Sequence, residues 1–414
     1  MLDDFVAYLQ IAPWPPQPDI IFWSAVLLVL GGSLGELVFR RAGLPRIVGY
    51  SAVGMVIAVL GKGADAHYPS GVIRVIVDVA LGLLLFELGS RVSLRWLRAN
   101  PALLLTSLAE ALFSFAAVFA SLRWLGLSAN VALACATLTL ATSAAVIGRV
   151  SSELHSAGQV TERMVIMTAL NTLIAVLLNK LVIAWLHLDT VGDWTLAITQ
   201  PLYTFGGSFL VAALLSGVVA WIARRLDLRD ENSALLLLGL ILLALTTARM
   251  LNLSTLLVPL LAGVLLRNTS QRPWVWPRHF GTAGGVLVLM LFVIVGACWS
   301  LQALALGGLA AGVLLLARTV VKGAVVVAGA HWSGISLRQS LALTLALTPI
   351  SGTALVLLAD LQTSHPGFAS QVAPIVLSAI AIMELLGPIV VQWGLRVAGE
   401  LPGRAASARK GAQP

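Results

Sequence analysis

Charge is scarce in this sequence. Asp, Glu, Lys and Arg make up 11% of its 414 residues, and aromatic residues 7%. Cysteine is almost missing: Cys135 and Cys298 are the two in the chain, each inside an apolar run. So little charge can neither clothe a soluble enzyme of this length nor hold a chain disordered. Two cysteines exclude a disulfide-stapled secreted scaffold. A Gly-x-x-x-x-Gly-Lys-Ser/Thr loop is also missing, which removes a nucleotide-driven pump. The histidines, His187 and His365 among them, are scattered over loops and segment ends without ligand spacing, so neither a metal site nor any cofactor is expected. What the chain has in quantity is apolar: 59% of residues are hydrophobic, with a mean hydropathy of +0.95. One soluble core cannot hide that excess. The composition describes an all-α polytopic membrane protein that is not an enzyme.

Apolar stretches long enough for a bilayer fall at thirteen places: 20–39, 46–61, 72–90, 101–124, 128–149, 162–186, 198–223, 233–250, 253–267, 281–300, 303–330, 337–361 and 370–397. The first follows the proline-rich Pro13-Trp14-Pro15-Pro16 without a basic leader, and is expected to stay in the protein. The basic residues test the count. Arg40, Arg41, Arg46, Arg91, Arg95, Arg98, Arg224, Arg225, Arg229, Arg267, Arg272 and Arg278 all follow odd-numbered segments. Only Lys62, Arg74, Arg123 and Arg249 follow even-numbered ones. A missed segment would scramble this alternation, which places the N-terminus outside and the C-terminus in the cytoplasm. Net charge of +8 is therefore a topology signal, and no nucleic-acid partner is expected.

Polar chemistry enters the apolar segments at four places. The fifth carries Thr137 to Ser143, with Thr142 and Ser143 at its end, and the twelfth carries Thr348-Pro349-Ile350-Ser351-Gly352-Thr353. A proline and a glycine in mid-segment free backbone groups, so a broken helix is expected there. Interrupted helices in corresponding, inverted positions point to a midplane transport site. Tight packing by small residues is the plainer alternative. The eleventh segment places Arg318 and Lys322 four residues apart on one face. An ionisable group at that depth costs about 3 kcal/mol or more, so Lys322 is expected to work in transport and Arg318 to form a structural ion pair. The sixth segment carries Asn171-Thr172 halfway along.

Several motifs resemble the monovalent cation:proton antiporter superfamily, in its sodium/proton exchanger and potassium-efflux branch. They are Leu44-Pro45-Arg46-Ile47-Val48-Gly49-Tyr50, Leu83-Leu84-Leu85-Phe86-Glu87-Leu88-Gly89, Asn252-Leu253-Ser254 with Ala262-Gly263, and Glu384-Leu385-Leu386-Gly387-Pro388. The resemblance covers nearly the whole chain. It implies one transporter unit over 1–414, a homodimer in a bacterial inner membrane, moving as an elevator on two crossing discontinuous helices. Residues 128–186 and 303–397 would form most of the ion-translocating core, 20–61 and 198–267 the dimerisation scaffold, and 398–414 a short cytoplasmic tail. The family lysine beside the site matches Lys322. The family's acidic pair in mid-span six is replaced here by Asn171-Thr172, and a glutamate after the twelfth-segment break is also missing.

Three mechanisms stay open. In one, a monovalent cation is held by Thr142, Ser143, Asn171, Thr172, Ser351 and Thr353, and Lys322 gives up and takes back the proton. In another, an electropositive pocket takes an anion at the helix ends. In the third, the fold serves a sensor that does not transport. The discriminating feature is whether a carboxylate, Glu110 or Glu384, reaches the break and pairs with Lys322.

Overall fold

The structure, a computed structural model, describes residues 20–60, 71–192, 194–225, 231–269 and 280–402. The proline-rich 13–16, Lys62, Arg229, Arg272, Arg278 and the tail beyond 402 lie outside the described residues. The described residues contain helices and no strand. In chain order they are α1 (Ile20–Ala42), α2 (Arg46–Leu60), α3 (Gly71–Ser90), α4 (Leu94–Ala99), α5 (Pro101–Trp124), α6 (Ala129–Leu138), α7 (Ala144–Glu153) and α8 (Gln159–Val191). There follow α9 (Trp194–Arg225), α10 (Glu231–Met250), α11 (Leu257–Thr269), α12 (Phe280–Ala297), α13 (Leu301–Ser333), α14 (Leu337–Ala346), α15 (Gly352–Ser364) and α16 (Pro366–Ala398).

Six helices among the described residues are long and apolar enough to cross a membrane: Phe22–Ala42, Pro101–Trp124, Gln159–Asp189, Trp194–Arg224, Leu301–Ser333 and Pro366–Ala398. Shorter apolar helices stand between them. Each apolar stretch of the sequence is occupied by one helix, except two. The fifth is split into α6 and α7 around residues 139–143, and the twelfth into α14 and α15 around 347–351. Both splits carry local signals. The Ser143 side chain caps α7 by accepting from the Val146 N–H, and Pro349 has no N–H with which to continue α14. Elsewhere the ends are equally explicit: α13 begins at Ser300, which accepts from the Ala303 N–H, and ends at Gly334 in the left-handed region at φ 67°.

Small residues set how closely the helices approach. A Cβ on Gly263 of α11 would fall 2.8 Å from the Ser90 backbone nitrogen of α3, and one on Gly296 of α12 would fall 2.5 Å from the Ser51 carbonyl of α2. These pairs therefore pack backbone to backbone, as small residues permit in membranes. α3 is buried at every position from Val77 to Phe86, because it lies between two apolar clusters. Val79, Leu83 and Phe86 join the cluster built with α9, α10 and α11, while Val77, Leu81 and Leu84 join the main core. α13 is two-faced. Leu306, Leu309, Leu316 and Val320 are exposed, and Arg318 and Lys322 are buried on the face turned to α5 and α16.

Candidate ion-binding site

The two helix breaks meet. The Ser143 N–H donates to the Pro349 carbonyl at 2.9 Å, and the Thr142 hydroxyl to the Leu347 carbonyl at 3.4 Å. Here the carbonyl-rich ends of α6 and α14 and the N–H-rich ends of α7 and α15 come together, so half-helix dipoles of both signs converge. Arg318 closes this junction from α13. Its Nη1 donates to the Thr348 carbonyl at 2.6 Å, and its Nη2 lies 3.4 Å from both the Thr142 hydroxyl and the Leu347 carbonyl. A structural ion pair was expected for Arg318. Its partners instead are the uncapped carbonyls at the end of α14, which offer the negative end of a dipole.

One turn along α13, Lys322 forms an ion pair with Glu110 of α5, and neither side chain has any exposure. Glu110 sits on a polar stripe with Thr106, Ser107 and Ser114, spaced so that all turn inward. Its carboxylate also accepts from Ser114 Oγ at 3.3 Å and from Asn171 Nδ2 at 2.9 Å. Asn171 Nδ2 lies 3.3 Å from the Thr142 hydroxyl as well. Lys322, Glu110, Asn171, Thr142 and Arg318 thus form a continuous chain of contacts from α5 through α8 to the junction. Two acceptors at this point of α8 are unused, Asn171 Oδ1 in the chain of contacts and Thr172 Oγ1 next to it in sequence, both fully buried. A buried polar atom without a partner is costly, and these two oxygens are free to accept.

The expected site residues separate into two groups. Thr142, Asn171, Lys322 and Glu110 are joined by the contacts above, and Thr172 follows Asn171 in α8. Ser143 is present at the junction, and its hydroxyl also caps α7. Ser351 and Thr353 are buried, with hydroxyls that have no partner in ordinary hydrogen-bond geometry. Ser351 faces Glu384 of α16, which makes no ion pair among the described residues, so the carboxylate beside Lys322 is Glu110. The electropositive pocket expected from the loss of the acidic pair is consequently offset at Lys322.

Two cavities lie at opposite ends of α3. One of about 510 Å³ is lined by Glu87, Arg91, Trp96, Thr161, Glu162 and Arg267. The other, of about 550 Å³, is lined by Arg74, Lys180, Gln200, Arg249, Asn252 and Asp360. In the second, Asp360 accepts from Arg74 at 2.9 Å and Lys180 at 3.3 Å, while Asp78 pairs with Arg74 and Arg249. Asp360 escaped the sequence reading, although a carboxylate near the end of an apolar segment was the available signal. The histidines are less scattered than their spacing implies: His365 Nε2 lies 3.0 Å from His187 Nδ1. No group of three metal-ligating side chains exists among the described residues.

The sodium/hydrogen exchanger transmembrane family matches residues 25–397. The chain belongs to that family. It is an integral membrane protein, and its family is one of transporters, not of enzymes. Two structures of the sodium proton antiporter MjNhaP1 from Methanocaldococcus jannaschii share the fold of this family member, each at 16% identity. One, at pH 8, gives a TM-score of 0.65 over 92% of this chain and 98% of that one. The other, from an electron-microscopy map, gives 0.71 over 93% and 99%. No curated protein matches the chain by sequence.

Proposed function

We propose that this exchanger-family protein is a monovalent cation:proton antiporter for sodium or potassium. In this reading Glu110 supplies the carboxylate missing from α8, and Lys322 carries the exchangeable proton. The observation that carries it is the fully buried Lys322–Glu110 ion pair joined through Asn171 to the meeting point of the breaks. A cation entering the site takes the place of the ammonium beside Glu110 and gains Asn171 Oδ1, Thr172 Oγ1 and the Thr142 hydroxyl as further oxygens. Lys322, left without its carboxylate in a buried site, releases a proton and becomes a neutral amine. One positive charge replaces another against the same carboxylate, so the exchange is one cation for one proton. Ser351 and Thr353 take no part in this cation site.

The thirteen apolar segments all cross the membrane in this reading, with the N-terminus outside. The units carrying the breaks, 128–186 and 303–397, move against a scaffold of 20–61 and 198–267. A homodimer belongs to the same reading. Proton flux in proteoliposomes, read by an internal pH dye, tests the proposal. Sodium or potassium should drive flux in the wild type, and Lys322→Ala and Glu110→Gln should each abolish it. Flux that follows chloride, bicarbonate or small carboxylates instead would make the protein an anion carrier, and no response to either would favour a sensor.

A further inference from the structure

A second carboxyl group is buried in the protein away from Lys322. Glu384 of α16 is 1% exposed and lies where α16 meets α2, the end of α12 and the break between α14 and α15. Ser51 of α2 donates to its Oε1 at 3.4 Å, and the Ser351 hydroxyl and the Cys298 thiol stand beside it. One turn further on, Gly387 lets α16 rest on Pro349, since a Cβ there would fall 3.0 Å from the proline Cβ. No charged side chain on any helix packed against α16 acts on Glu384; it is faced by hydroxyls and one thiol. Its Oε2 and the Ser351 hydroxyl have no partner in ordinary hydrogen-bond geometry, although the two side chains stand within reach of each other.

An ionised carboxylate in such surroundings would be a buried charge with neither a counter-ion nor a full set of donors, which is among the costliest arrangements a protein can hold. A protonated carboxyl removes the charge and adds a donor, for which the neighbouring Ser351 hydroxyl is an acceptor. We propose that Glu384, with Ser51 and Ser351, is a second proton-binding site, separate from the Lys322–Glu110 centre. Two of its walls, α2 and α12, belong to helices held together by Gly54 and Gly296, while Ser351 belongs to the broken helix. Any movement of the break relative to α2 and α12 changes the surroundings of this carboxyl. Its proton is thereby tied to conformation.

The site does not depend on cation exchange, and its test needs none. Infrared difference spectra of the full-length protein in lipid, between alkaline and mildly acidic buffer, should show the C=O stretch of a protonated carboxylic acid that shifts in heavy water. Glu384→Gln should remove that band and Glu110→Gln should leave it. Ser51→Ala should move its frequency, because a donor to Oε1 is lost. Absence of the band from the wild type, or a band that survives Glu384→Gln, overturns the proposal. Where Glu384→Gln does not fold, Glu384→Asp retracts the carboxyl by one methylene and must move the band; a band unmoved by it also overturns the proposal. A protein with the Glu384 band but no cation-driven proton flux would refute the antiport reading and leave this site standing.

Discussion

Lys322 on α13 and Glu110 on α5 form an ion pair with no solvent exposure on either side chain. Removing one member of such a pair leaves an uncompensated buried charge, which costs about 3–5 kcal/mol, whereas replacing both by neutral groups of similar volume is close to neutral. Lys322→Met and Glu110→Gln should each lower the thermal stability of the detergent-solubilised protein sharply. The double variant should recover most of that loss and still exchange no ions. Additive losses would mean that the pair is not the unit it looks to be.

Thr172→Asp places a carboxylate next to Asn171, whose Nδ2 already donates to Glu110 at 2.9 Å. Thr172 is fully buried with an unused hydroxyl, so the new group adds to the site rather than breaking a contact. Sodium- or potassium-dependent proton exchange in proteoliposomes should be created or strengthened. No gain in a folded variant would count against the site as drawn.

Arg318 holds the junction through the Thr348 carbonyl at 2.6 Å. A buried hydrogen bond from a charged donor contributes about 1.5–3 kcal/mol. Arg318→Met should lower stability by about that amount and reduce transport at least about tenfold, since the carbonyls at the end of α14 lose their donor. Arg318→Lys should recover only part of both, because an ammonium cannot span Thr348, Leu347 and Thr142 as a guanidinium fork does. Full recovery of transport by Lys would show that charge alone is needed.

His365 lies between α15 and α16, where burial and the neighbouring His187 ring hold its imidazole below the ordinary value of 6.5. A base depressed in the folded state is protonated more readily when unfolded. The neutral ring therefore contributes stability that is present above the ordinary value and is lost as pH falls from there through the folded value. Thermal unfolding between about pH 7 and about pH 5 should show a steeper loss in the wild type than in His365→Gln. Equal slopes would remove the histidine pair as the cause.

Sequence by itself determined the helical membrane character and the places of the helices. Apolar runs this long satisfy their backbone hydrogen bonds in lipid as helices. It also determined both breaks, because Pro349 and the cap at Ser143 act on their own neighbours in the chain. That Lys322 needs a partner was legible too, since a lysine so far inside an apolar segment is expensive without one. Tertiary structure alone decided which carboxylate meets it. Glu110 and Glu384 look alike in sequence, each a single acid inside an apolar helix. The choice depends on the rotation of α5 and α16 about α13, which is set by packing between segments far apart in the chain. The same packing turned Arg318 toward carbonyls instead of a carboxylate, and left Glu384 among hydroxyls.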